Sequence, residues 1–345
     1  MSGNGHPTES VCVLPRLEGL GGPASFRARL VAGLARRGIR AHQNPRDPTC
    51  RAVLVIGGTS RLNELVEARR RGLRVVQRLN GMNWIHRRRP TGLRHFLKSE
   101  YNNFILTLIR RWLVDRIVYQ SGFARNWWQT VYGSVHAPAR VIYNGIDLDQ
   151  FHPDGPHERP VDCDRLLLVE GHLGGGNEMG LENAVALARR MNERSARPVE
   201  LAVAGDVPPA LRRRLDESAP GLVRWLGVLR REEIPFADRS AHLLFSADLN
   251  AACPNSVVEA LACGLPVVAF ATGSLPELVQ GSAGRVVPWG ANYWKLEPPD
   301  IPALADAALG ILAESERYRL GARERAEEAF GLEEMVDKYA EALLG

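Results

Sequence analysis

At 345 residues the chain is long enough for two α/β domains with a core each, which excludes a small single-core module. Five scattered cysteines (Cys12, Cys50, Cys163, Cys253, Cys263) without Cys-x-x-Cys or Cys/His spacing argue against a disulfide framework and a zinc site, and suit a reducing, cytoplasmic compartment. Residues 1–150 hold 24 Lys+Arg against 9 Asp+Glu, whereas the rest, by difference from the totals of 44 and 39, holds 20 against 30.

That basic half predicts an anionic partner such as lipid head groups or a phosphorylated acceptor. Solvated Arg-rich helix faces explain the same excess, since Lys occurs only at Lys98, Lys295 and Lys338. No nucleic acid is expected, because these residues belong to no recognised binding module. The polar start MSGNGHPTES and the absence of any run of about 18 apolar residues predict neither a signal peptide nor a spanning helix.

In chain order, Ser10–Pro15 is a short apolar run. It is followed by Gly19-Leu20-Gly21-Gly22 and a helical pattern over 24–37, the strand, glycine turn and helix that open a nucleotide-binding unit. Arg51–Ile56 and Leu73–Leu79 read as strands with a helix over 62–71 between them. The second of these strands delivers Asn80 to His86 beyond its C-terminal end, where open parallel sheets bind ligands. His86 is the best candidate for a general base in this half, and a surface histidine is the plainer expectation. The following Arg87, Arg88 and Arg89 fit a phosphate or a solvated loop.

From Phe96 to Leu113 the apolar residues Leu97, Tyr101, Phe104, Ile105, Leu108 and Trp112 recur at helical spacing. The stripe is no wider than a core contact requires, so a core helix is expected. With Arg110, Arg111 and Arg116 nearby, peripheral contact with an anionic membrane stays open. Arg116–Gln120 then reads as a strand and 121–132 as a helix. Residues 153–164, rich in Pro, His, Asp and Glu, read as a linker.

Further strands are expected at Arg165–Val169, Val199–Val203, Leu222–Gly227 and Leu243–Phe245, with helices over 181–192 and 234–241. The stretch Ser246–Val279 reads as loop, helix, buried strand, turn and second helix, because Pro254 suits a first helical turn, Gly264 a helix end, and Pro266–Phe270 is a bounded apolar run. Backbone N–H groups at such a helix start favour a diphosphate, and Glu259 stands where a carboxylate accepts from ribose hydroxyls. Gly284–Pro288 is a last short strand, and 301–344 is helical.

Within this stretch Glu259, Ala260, Ala262, Gly264, Pro266 and Val267 resemble the second half of the donor signature of retaining glycosyltransferases of family 4 (glycosyl transferases group 1). Asn144-Gly145-Ile146-Asp147 with Phe151, and Gly205-Asp206 after an apolar strand, resemble two further signatures of that family. The resemblance covers nearly the whole chain.

It implies an α/β fold of two Rossmann-like domains facing across a cleft, the GT-B architecture. The acceptor-binding domain is expected at 1–152, the nucleotide-sugar domain at 165–330, and a C-terminal helix at 331–345 that returns to the first domain. It also implies metal-independent, retaining transfer of a hexose from a nucleotide-diphosphate sugar, a UDP- or GDP-sugar, to a glycan or lipid-linked acceptor. No other cofactor is implied, and a catalytically degenerate binding protein or a nucleotide-sugar epimerase of the same fold are the alternatives.

For the diphosphate the resemblance points to the backbone of Pro254, Asn255, Ser256 and Val257, with Gly21 and Gly22 opposite. Glu259 takes the ribose, Gly273 and Ser274 shape the sugar pocket, Gly205 closes a neighbouring strand, and Val228 and Leu229 lie where the base is read. The chain departs from the family at three places. Ala251 stands where a first Glu is usual, His172 where an Arg is usual, and Glu178-Met179 near a usual Lys-Gly. Asp248 is the nearest acid to replace the missing carboxylate, and Arg27, Arg78 and Arg87 are candidate substitute cations. Asp147-Leu148-Asp149 spells a metal motif of another glycosyltransferase fold and is expected to be a turn.

Overall fold

Strand formation follows the apolar runs, and short helices return the chain between them, so each strand lies parallel to its neighbours. The computed structural model describes residues 9–345 apart from Glu18, Leu20, Thr91 and Asn177. In chain order the first half holds β1 (Ser10–Leu14), α1 (Gly22–Arg36), β2 (Arg40–His42), β3 (Cys50–Ile56), α2 (Leu62–Arg70), β4 (Arg74–Leu79), α3 (Leu93–Leu108), β5 (Arg116–Tyr119), α4 (Gly122–Tyr132) and β6 (Ala139–Val141). The second half holds β7 (Asp164–His172), α5 (Glu178–Asn192), β8 (Val199–Asp206), α6 (Pro209–Ser218), β9 (Val223–Gly227), α7 (Ile234–Arg239), β10 (Leu243–Phe245), α8 (Asn255–Ala262), β11 (Val267–Phe270), α9 (Leu275–Leu278) and β12 (Gly284–Val287). Three helices end the chain: α10 (Ile301–Ala313), α11 (Ser315–Ala329) and α12 (Leu332–Leu344).

The described residues fall into two units, one from Met1–His86, Gly92–Gly145 and Leu332–Gly345, the other from Arg87–Thr91 and Ile146–Gly331. The break before Ile146 precedes the first-domain end at residue 152 expected from the sequence. Phe151 is fully buried, and Arg323 of α11 donates to its carbonyl oxygen at 2.8 Å, so this segment is tied to the second unit.

In the first unit six parallel strands lie in the order β2-β1-β3-β4-β5-β6. Val11, Val13, Leu54, Ile56 and Val76 pack under α1 and α12, with Phe26, Leu30 and Leu34 from one helix and Met335, Val336 and Tyr339 from the other. The C-terminal helix therefore belongs to the first unit, as the resemblance implied. Arg37 adds bonds to Glu333 and Asp337 at 2.8 and 2.6 Å, exposed pairs that fix register more than they stabilise.

The helix α3 differs from the expected core helix. Its buried residues are Ser99, Asn103 and Ile105, whereas Leu93, Leu97, Tyr101 and Phe104 are exposed. Polar bonds hold the inner face: Asn103 Oδ1 accepts from Asn83 N at 3.0 Å, and Asn103 Nδ2 donates to the Asn83 carbonyl at 2.8 Å. One five-residue π-turn, Ile109–Leu113, extends the helix and leaves Trp112 exposed.

In the second unit the order is β12-β11-β10-β7-β8-β9, again all parallel. Leu166, Leu168, Leu201, Val203 and Phe245 pack against α5 and α10 through Leu181, Ala184, Ala188, Leu304 and Ala308.

Candidate active site

Strand order fixes where a ligand belongs. In an open parallel sheet the crevice forms beyond the C-terminal strand ends where the winding reverses. In the second unit that reversal lies between β7 and β10, and in the first between β1 and β3.

β10 leads into the loop before α8. Pro254 caps α8 with no side-chain bond, and the N–H groups of a helix's first turn have no intrahelical acceptor, so the positive end of the helix dipole lies at Asn255–Val257. Glu259 follows on the same helix and is 8 % exposed. Burial, and then the neighbouring charge of Glu259, push the carboxyl of Asp238 on α7 well above its ordinary range.

The loop itself is tightly built. Asn250 adopts a left-handed conformation, φ 64°, which Asn tolerates better than most residues. Gly273 is also left-handed, and a Cβ there would lie 2.6 Å from both the nitrogen and the oxygen of Ala251. Ser274 N donates to the Ala251 carbonyl at 2.9 Å, so the turn after β11 braces the loop after β10. The amide of Asn250 and the hydroxyls of Ser246 and Ser274 are buried here with no protein partner. Such groups are costly unless something else satisfies them.

Across the reversal, β7 ends in Glu170-Gly171-His172. Burial, then the charge of Asp248, push the Glu170 carboxyl up to about 8. Asp248 is open to solvent, which screens the pair. Gly205, φ +147°, lets β8 close on this strand end, since a Cβ would run into the Glu170 carbonyl oxygen. His172 is exposed, and its Nδ1 lies 2.8 Å from Asp206 Oδ2. The place where a cation was expected thus holds an imidazole tied to a carboxylate.

Glu178 begins α5 and turns its carboxylate back onto the glycine loop, accepting from Gly176 N at 3.0 and 3.1 Å. Arg89 Nη1 lies 3.7 Å from Glu178 Oε2. Despite desolvation, the largest influence, these backbone bonds and then Arg89 hold the Glu178 carboxyl below its ordinary range. Val228 is exposed and Leu229 half-buried after the edge strand β9.

In the first unit Gly21 caps α1, with open space where a Cβ would sit, and Gly22 is the first helical residue. Leu20 beside them lies outside the described residues. His86 is not the surface histidine expected. Its side chain is 1 % exposed, Nε2 lies 2.7 Å from Glu100 Oε1, and the ring packs edge-on to Phe96 at 5.1 Å. The pair braces the start of α3. Arg78 is also committed: it donates to Asn144 Oδ1 at 2.8 Å and lies 3.7 Å over the Phe26 ring. Asp147 Oδ1 accepts from the backbone of Asp149 and Gln150, a turn as expected. Among the described residues no group of three or more His, Cys, Asp or Glu is arranged to hold a metal ion.

The second unit thus brings Pro254–Val257, Glu259, Gly273, Ser274, Asp248, Gly205 and His172 to strand ends on both sides of the reversal. Sequence reasoning missed Glu170, two residues before His172 at the end of a strand, and Asn250, the neighbour of Ala251.

Two parallel doubly wound sheets with a returning C-terminal helix define the GT-B class. The chain resembles sucrose-phosphate synthase from Thermosynechococcus elongatus, with a TM-score of 0.72 at 16 % identity over 96 % of this chain and 98 % of that one. It also resembles Anabaena HepE, in a structure with UDP and glucose, with a TM-score of 0.69 at 16 % identity over 97 % and 99 %. In sequence, residues 165–314 match the family described as glycosyl transferases group 1, and residues 54–150 match glycosyltransferase family 4. The chain belongs to this group 1, family 4-like set of glycosyltransferases. A 2-deoxystreptamine N-acetyl-D-glucosaminyltransferase from Streptomyces fradiae is 30 % identical over 157 residues, 44 % of this chain, and the match spans only 35 % of that relative's length.

Proposed function

We propose that the chain transfers a hexose from a UDP- or GDP-sugar to a hydroxyl of a glycan or lipid-linked acceptor, with retention and without a metal ion. The observation that carries this reading is the uncapped start of α8 at the winding reversal, with Glu259 behind it. As the glycosidic bond breaks, negative charge grows on the leaving diphosphate. The backbone N–H groups of the first turn of α8 and its dipole stabilise that charge, which is the work a metal would otherwise do. Glu259 accepts from the ribose hydroxyls and sets the distance from base to diphosphate.

Ala251 removes one carboxylate from the sugar end, and the buried amide of Asn250 beside it, with the Ser274 hydroxyl, takes over the sugar hydroxyls. Retention rests on the family. UDP is supported by the HepE structure with UDP and glucose, and N-acetylglucosamine and 2-deoxystreptamine join the panel because of the Streptomyces relative.

The test is incubation with UDP-, GDP- and ADP-sugars, with and without a chelator, reading released nucleotide and the anomer of any product. Chelator-insensitive release with a retained anomer is expected. Binding without release or transfer to any acceptor points instead to a binding protein, and chelator-sensitive turnover contradicts metal independence.

A further inference from the structure

Sequence periodicity over 96–113 calls for a helix with its apolar side against a core, yet the helix is turned the other way. Ser99 and Asn103 face inward, and the only acid of the segment, Glu100, lies against His86. Outward stand Leu93 at 75 %, Leu97 at 59 %, Tyr101 at 57 %, Phe104 at 60 % and Trp112 at 66 % exposure. Their spacing of four, four, three and eight residues keeps them in one row along the helix. The 16 residues of α3 alone span ~24 Å at 1.5 Å per residue. An apolar row of this length on a water-facing surface requires a cover.

Charge identifies the cover. Arg94, Lys98 and Arg111 flank the row, all exposed, and Arg111 lies 5.5 Å from the Trp112 ring. A second copy of the chain would set these cations against their own equivalents, whereas an anionic bilayer meets them with phosphate and the row with acyl chains. Long basic side chains reach up to head groups while their stems stay apolar, and Trp and Tyr favour that boundary. No helix of the described residues is long and apolar enough to cross a membrane, so the fitting geometry is a helix lying in the surface plane.

We propose that α3 and its π-turn dock the first unit onto an anionic lipid surface, with Leu93, Leu97, Tyr101, Phe104 and Trp112 in the acyl boundary and Arg94, Lys98 and Arg111 on head groups. This names the surface for the lipid-linked acceptor of the transfer reading. It is tested without any donor, so its failure leaves that reading standing.

The experiment is co-sedimentation of the full chain with vesicles of mixed phosphatidylglycerol and phosphatidylcholine, and with phosphatidylcholine alone. Binding to the mixed vesicles is expected, weakened about tenfold or more in ~1 M salt and about tenfold or more in Leu97→Glu/Phe104→Glu. Quenching of tryptophan emission by brominated anionic lipid is expected in the native chain and reduced in Trp112→Phe, which keeps the fold. Failure to bind the mixed vesicles overturns the proposal, as does binding unchanged in the double variant. A concentration-dependent dimer, abolished by the same double variant, also overturns it and assigns the row to a second copy.

Discussion

Gly273→Ala tests whether the loop that launches α8 is held by the turn after β11. The glycine has φ +60°, and its added Cβ would meet backbone atoms of Ala251 at 2.6 Å. Left-handed geometry costs a non-glycine residue about 1–2 kcal/mol. Collision with a backbone that also accepts a bond from Ser274 adds about 1–3 kcal/mol, so the total is about 2–5 kcal/mol. Gly281→Ala is the control, because its φ is +57° and nothing lies within 4 Å of the added carbon; it pays the left-handed cost alone, about 1–2 kcal/mol. Denaturant unfolding of both variants, followed by titration with UDP, separates the terms. Gly273→Ala is expected to lose more stability, and also about tenfold in nucleotide affinity, with Gly281→Ala unchanged in affinity. Equal costs in the two variants refute the bracing.

Three further outcomes are expected. Glu170 has its carboxyl raised from 4.5 to about 8, by burial and then by Asp248; the folded chain therefore keeps a proton that the unfolded chain releases, and stability falls as pH rises across that window. Glu170→Gln should flatten this dependence and be the more stable form at the alkaline end, and an unchanged slope in thermal unfolding contradicts it. Gly33→Ala on α1 ordinarily gains about 1 kcal/mol of helix propensity, but the added carbon meets the Val336 side chain on α12, so the gain should appear only in a Val336→Ala background. A full gain in the native background would place α12 elsewhere. His86→Asn should lower stability by about 1–3 kcal/mol through the lost bond to Glu100 and leave the pH–rate profile of turnover unchanged; loss of one limb of that profile would make the imidazole the base.

Fold and donor half were legible because they rest on local chemistry. Pro254 and Gly264 punctuate α8, short apolar runs make β7, β10 and β11, and the spacing from Glu259 to Pro266 and Val267 carries the family resemblance. Short polar β2, Arg40–His42, escaped notice because it is an edge strand that buries little. The side chains of α3 were assigned to the wrong side, because periodicity reports that a helix has an apolar face without saying what lies against it. His86 looked like a loop residue for a related reason: its partner Glu100 stands fourteen positions away, and only the return of α3 brings the two together. Glu178 looked like a lost cation, and the folded loop shows its carboxylate accepting from Gly176 N. Glu170 was overlooked because its significance comes from β10 lying beside β7, a long-range fact of strand order.

The central claim is that α8 and Glu259 hold a nucleotide-sugar donor. Calorimetric titration of the native chain and of Glu259→Ala with UDP-, GDP- and ADP-sugars tests it most directly. At least one donor should bind the native chain, and the variant, still folded by circular dichroism, should bind it weaker by about 1.5–3 kcal/mol, one to two powers of ten. No binding by the native chain across the panel, or equal affinity in the variant, would contradict the claim.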